Sequence, residues 1–189
     1  MKNILFTIIL FSFSLSSFAQ QQYTVDTQKS TLNWESKKIV GSGNKGAIKL
    51  AKGKLSLKNN LLSGGEFSID MQSITDEKGS ERLVEHLKND DFFSVSKYPT
   101  ATFVITEVKN NGNNAQITGN LSIKGITKKI SFPALITYNK DSIHAIAKEV
   151  KVDRTLYDIR YRSSAFFSDL GDKAIENIFT LTIDLTAKK

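Results

Sequence analysis

An all-β fold of about eight or nine antiparallel strands, with one short helix, is what this 189-residue sequence predicts. Three observations point there. Apolar residues recur at every second position through most of the chain, the period of a half-buried strand. Short turn signals separate the alternating runs, which favours antiparallel neighbours joined by hairpins. Cysteine is absent, so in a chain bound for export no disulfide can staple a small core, and burial in a large sheet or closed barrel must hold the fold.

The chain opens with Lys2, an apolar run from Ile4 to Leu15, and then Ser17-Phe18-Ala19, in which small residues flank a large one. That is the pattern of a secretory signal peptide, with cleavage expected after Ala19. A membrane anchor is the competing reading, but about a dozen apolar residues fall short of the roughly 20 needed to span a bilayer. No cysteine follows the run to carry a lipid. Residues 1–19 are therefore expected to be removed, and residues 20–189 to form one domain with one core, soluble in the periplasm or secreted.

Leu32, Trp34 and Ser36 alternate with Asn33, Glu35 and Lys37; Phe67, Ile69 and Met71 with Glu66, Ser68 and Asp70; and Ile117, Gly119, Leu121 and Ile123 with Gln116, Thr118, Asn120 and Ser122. Ile130, Phe132, Ala134, Ile136 and Tyr138 continue the pattern, as do Val150 with Val152 and then Phe179, Leu181, Ile183 and Leu185. Ala47 to Lys58 adds a further strand. Between the runs stand Asn59-Asn60, Asn110 to Asn114 around Gly112, Lys124-Gly125 and Asn139-Lys140-Asp141, all turn-forming sequences. With no internal repeat and no break in composition, the physical choice lies between a two-sheet sandwich and a closed barrel, and closure removes exposed edges.

The period changes once. Leu83, Val84 and Leu87 have the spacing of a helix face, with Glu81, Arg82, Glu85 and Lys88 left to solvent, so a short amphipathic helix is predicted near Ser80 to Lys88. Asn89, Asp90 and Asp91 are expected to cap a further turn carrying Phe92 and Phe93, two rings expensive to leave in water. Pro99 cannot donate a ladder hydrogen bond and suits the first position of the strand in which Ala101, Phe103 and Ile105 alternate with Thr100, Thr102 and Val104.

Several motifs have bland readings. Gly41, Gly43 and Gly46 spell G-x-G-x-x-G, but a dinucleotide site needs a helix to follow, and Ala47 to Leu50 alternate instead, so a glycine-rich hairpin loop is expected. Seven lysines and no acidic residue lie between Lys37 and Lys58. They read as a solvated strand face that discourages edge pairing, with transient contact to an anionic membrane surface as the functional alternative. Nucleic-acid binding is disfavoured, because no aromatic stacking run is interleaved with them. His86 and His144 have no ligand partner at a metal-binding offset, so no metal site is expected.

In VDRTLYDIRY, Arg154 follows a strand, and Tyr157, Arg160, Tyr161 and Arg162 come close behind. Such a cluster near one barrel end could receive a phosphate or carboxylate head group. Pairing of Asp153 with Arg154 to brace the loop is the structural alternative.

The run HLKNDDFFSVSKYPTATF, preceded by FSIDMQSI and followed by GNLSIKGITKKISFP and VDRTLYDIRY, resembles the YceI-like family, exported bacterial proteins with a lipocalin-like barrel that bind isoprenoid lipids. The resemblance covers essentially the whole chain after Ala19. It implies a barrel rather than a sandwich, and sequestration or transport of a polyisoprenoid or other amphipathic lipid with its tail in the lumen. It implies no catalysis and no cofactor beyond that ligand. Candidate ligand-binding residues are Trp34, Phe67, Leu83, Leu87, Phe92, Phe93, Phe103, Arg154 and Tyr157. Tyr157 and Asp158 depart from the phenylalanine and glycine usual in the family. An enzyme acting on a small hydrophobic substrate in the same lumen, and an interaction protein for a membrane complex, are the rival classes.

Overall fold

The computed structural model describes residues 20–189; the expected signal peptide lies outside the described residues. In chain order the strands are β1 (Gln21–Val25), β2 (Thr31–Lys38), β3 (Asn44–Lys58), β4 (Leu61–Asp76), β5 (Thr100–Asn111), β6 (Asn114–Ile123), β7 (Ile126–Tyr138), β8 (Ser142–Asp153) and β9 (Ile175–Lys188). Helix α1 (Glu81–Lys88) lies between β4 and β5, and 3₁₀ turns over Arg154–Tyr157 and Gly171–Lys173 lie between β8 and β9.

All pairings are antiparallel, in the order β1-β3-β2-β9-β8-β7-β6-β5-β4, and β4 pairs back onto β3 from Lys58↔Leu61 to Gly46↔Asp76. That last ladder closes the sheet into a barrel. β1 and β2 share one stave, since β1 runs against Lys54–Leu57 of β3 and β2 against Asn44–Ile48, and both also pair with β9. The result is an eight-stave barrel, whose β7 and β8 pair only from Leu135↔Ile146 to Tyr138↔Ile143. β1 is not among the expected strands; its Tyr23 and Val25 point inward and are buried.

The expected turns are where the hairpins close. Asn59 and Asn60, at φ 54° and 62°, make the two-residue link between β3 and β4, and Lys124-Gly125, at φ 52° and 73°, the link between β6 and β7. Two-residue turns with positive φ match the right-handed twist of the strands they join. β3 and β4, at 15 and 16 residues, are too long to stay straight around a barrel, and three register shifts along their ladder bend them.

Inside, Phe67 and Phe103 stack across β4 and β5 with ring centroids 6.2 Å apart, and Phe103 meets Phe132 of β7 at 5.6 Å. Gly119, an inward position on β6, makes this possible: a Cβ there would collide with the Phe103 ring and the Val104 carbonyl. Gly46 plays the same part for Trp34, whose indole crosses it and donates from Nε1 to the Thr75 carbonyl at 3.1 Å. The third glycine of G-x-G-x-x-G is therefore a strand residue under a tryptophan, and the first two belong to the β2–β3 link. Lys45, Lys49, Lys52, Lys54 and Lys58 are exposed between inward Ile48, Leu50, Gly53, Leu55 and Leu57, the solvated face expected of them.

α1 begins as predicted. Ser80 Oγ accepts from the Leu83 amide at 3.3 Å. The turn after it differs in detail: Asn89 Oδ1 accepts from the Asp91 amide at 2.9 Å, so the asparagine caps, while the aspartates pair, Asp90 with Lys97 at 3.1 Å and Asp91 with His86 at 3.2 Å. Hydrogen bonds from Ser94 and Lys97 hold the Asp90 carboxyl below the usual carboxylate range. Pro99 lies one residue before β5 and gives its carbonyl to the Met71 amide at 3.0 Å.

Candidate functional site: an apolar lumen under a helical cover

The alternation that turns one side chain in two inward does not fill the barrel. A cavity of about 230 Å³ runs through the lumen, lined almost wholly by carbon from β2–β9 and α1. Apolar cavities of roughly 150 Å³ already stay dry and admit a benzene-sized guest. Beyond the cavity at the end away from α1, Tyr23, Val25, Leu57, Ile143 and Ala187 are buried and plug the barrel. There the Leu62 amide donates to Tyr138 Oη at 3.0 Å.

α1 and the turn after it cover the other end, where β4 finishes and β5 begins. Leu83, Leu87, Phe92 and Phe93 all face the cavity. Phe92 is buried and Phe93 half-buried. The Phe92 ring meets His86 at 5.0 Å and Tyr161 at 5.3 Å, and His86 meets Tyr161 edge-on at 4.6 Å, so the cover is fastened to the segment between the two 3₁₀ turns.

Of the sequence-derived candidates, Trp34, Phe67, Leu83, Leu87, Phe92, Phe93, Phe103 and Arg154 line the cavity and Tyr157 does not. Tyr157 is 1% exposed and packed behind the lining; its hydroxyl has no hydrogen-bond partner among the described residues, and burial pushes its pKa up to about 12. Period two alone cannot say that a residue leaving a strand into a 3₁₀ turn rotates away from the lumen.

The cluster read around Arg154 is also rearranged. Arg160 pairs with Asp158 at 2.7 Å and lies over the Phe166 ring, and Arg162 lies over Tyr161. Asp153 does not pair with Arg154. Its Oδ1 accepts from Thr155, from the amide at 2.9 Å and from Oγ1 at 2.6 Å, and so caps the 3₁₀ turn. Arg154 itself is 4% exposed and donates to three backbone carbonyls, those of Glu176, Ile159 and Ile175, at 3.1, 2.8 and 3.1 Å. Burial lowers its pKa, with the charge of Asp153 acting in the opposite sense.

Lining residues outside the candidate set include Ile48, Leu50, Ile69, Met71, Leu121 and Phe132. Their alternation was visible; knowing which of two faces turns inward required the closed barrel. Neither histidine lines the cavity. His86 faces Asp91, and His144 pairs with Asp184 at 2.7 Å with no serine hydroxyl bonded to it among the described residues.

A closed antiparallel barrel with an apolar lumen and a helical cover is a lipocalin-like binding barrel. The chain belongs to the YceI-like family, whose model, a YceI-like domain, matches residues 23–187. It is 28% identical over 136 residues to protein YceI of Salmonella newport, covering 70% of this chain and 71% of that protein. It is also 56% identical over 50 residues to a UPF0312 protein of Pseudomonas aeruginosa, a match that spans 26% of each chain, about a quarter of that relative's length. Among solved structures, Burkholderia cenocepacia BcnA superposes with a TM-score of 0.72 at 21% identity, over 87% of this chain and 99% of that one. A polyisoprenoid binding domain from Saccharophagus degradans, implicated in plant cell wall breakdown, gives a TM-score of 0.64 at 13% identity, over 88% and 97%. At these identities the likeness is one of fold.

Proposed function

We propose that this protein binds and carries an amphipathic lipid, a polyisoprenoid, without chemical change, holding the tail in the lumen. The observation that carries the reading is the cavity itself, a carbon-lined space under a cover of Leu83, Leu87, Phe92 and Phe93. Each CH₂ moved from water into such a space contributes about 0.8 kcal/mol, so a prenyl tail has ample driving force to offset its ordering cost. The name of the Saccharophagus degradans domain supports the choice of lipid. Two histidines that do not line the lumen and the absence of cysteine support a carrier over an enzyme. Export after cleavage at Ala19, to the periplasm or outside the cell, would place the carrier between membranes or beyond them, and the exposed Ile39 and Val40 beside Lys37 and Lys38 suit a transient meeting with an anionic membrane surface.

Organic extraction of protein purified from its native host, followed by mass spectrometry, tests this. About one long-chain lipid per barrel is expected. No lipid, together with turnover of a hydrophobic ester, would transfer the lumen to an enzyme.

A further inference from the structure

The cavity lining is polar at one end only. Ser36, Lys37, Lys38 and Asn44, flanking the β2–β3 link, stand with Arg154 and with Glu176 at the start of β9. Register brings them together: Lys38 is opposite Ile175, and the Arg154 guanidinium bonds the carbonyls of Ile175 and Glu176. The opposite end, around Leu55, Leu62, Ile136 and Leu185, is hydrocarbon.

A guanidinium carries five N–H donors. Nε–H and one hydrogen each on Nη1 and Nη2 go to the Glu176, Ile159 and Ile175 carbonyls; the second hydrogens on Nη1 and Nη2 have no partner among the described residues. Arg154 as a whole is 4% exposed, so water is a poor substitute. The nearest acidic side chain in sequence, Asp153, is spent on Thr155, and Glu176 is exposed. The charged residues lining this end are the buried Arg154 and the exposed Lys37, Lys38 and Glu176. A buried cation with unspent donors and no paired carboxylate is complementary to an anion with two oxygens.

We propose that Arg154 seats the anionic head group of the bound lipid, a phosphate or carboxylate whose oxygens accept the two unspent Nη–H groups, with the tail directed toward Leu55 and Leu62. This rests on the carrier reading and adds the ligand's charge and its orientation.

Delipidated protein is titrated with farnesyl phosphate, farnesol and inorganic phosphate. Fluorescence of Trp34, the one tryptophan, which lines the lumen, reports tail entry, and the Nη resonances of ¹⁵N-arginine-labelled protein report the head. Farnesyl phosphate is expected to bind roughly ten- to hundredfold more tightly than farnesol, the range that charge-assisted hydrogen bonds supply. It is also expected to shift the Nη signals of one arginine. Because Arg154 braces three carbonyls, the assignment is made with the other arginines: the shift must persist in the Arg82→Gln, Arg160→Gln, Arg162→Gln triple variant. Equal affinity for farnesol and farnesyl phosphate, or a shift lost in that variant, overturns the head-group seat and leaves the carrier standing. The same shift from inorganic phosphate, undisturbed by farnesyl phosphate, identifies a free-anion site and overturns it too. Binding of neither prenyl probe overturns the carrier and the seat together.

Discussion

Replacing Tyr157 by phenylalanine removes one oxygen from the interior and should make the protein more stable. The side chain is 1% exposed and its hydroxyl has no hydrogen-bond partner among the described residues. A buried polar group left unsatisfied costs about 1 to 3 kcal/mol, so Tyr157→Phe should gain that amount near neutral pH. The gain should then grow in alkali. Burial, with a smaller contribution from the charge of Asp153, raises the tyrosine pKa from 10.0 to about 12. Between those values the unfolded chain has lost this proton and the folded chain keeps it, so the unfolded state binds fewer protons and rising pH favours unfolding. The contribution is intact below about pH 10 and falls by about 1.4 kcal/mol per pH unit, to about 3 kcal/mol lost by pH 12. The assay is urea denaturation of both proteins at pH 7, 9, 10 and 11, since subtracting the variant's curve cancels the titration of the other tyrosines. A loss of stability greater than about 1 kcal/mol in Tyr157→Phe at pH 7 would show that the hydroxyl is bonded in solution, and a pH-independent difference would show that it is not buried.

The two rings of the cover should separate by role: Phe92→Ala should cost the empty barrel about 3 to 5 kcal/mol, because the ring is buried against His86 and Tyr161. Phe93→Ala should weaken lipid retention by more than it lowers the melting temperature of lipid-free protein, since this ring is only half-buried and faces the cavity. Gly119→Ala should destabilise by about 1 to 3 kcal/mol by driving a Cβ into Phe103, and Phe103→Leu in the same chain should recover part of the loss, a coupling that a double-mutant cycle reads directly. Asp158→Gly should stabilise by about 0.5 to 1 kcal/mol in thermal unfolding, because the backbone there is left-handed at φ 59°, where a Cβ is strained.

Much of this protein was legible residue by residue, wherever local chemistry decides. The helix start at Ser80, the asparagine turn at Asn59-Asn60 and the Lys124-Gly125 link sit where the sequence put them, because a cap or a positive-φ turn is settled by side chains within a few positions. The alternation of Phe67, Ile69 and Met71, or of Ile117, Gly119 and Leu121, marked half-buried strands for the same reason.

Closure was beyond that reach. Alternation says that one face is buried, and only the β3–β4 ladder and the joint stave of β1 and β2 decide that the buried face surrounds a cavity. The polar end of the lumen lay equally out of sight. Asp153 beside Arg154 invites the reading that charge seeks charge, yet the guanidinium bonds the carbonyls of Ile175 and Glu176, 21 and 22 residues along the chain. Every residue carries a carbonyl, so nothing in the sequence distinguishes the ones an arginine will choose. Tertiary structure chooses them, by ending β8 and starting β9 side by side and burying Arg154 between the 3₁₀ turn and the start of β9.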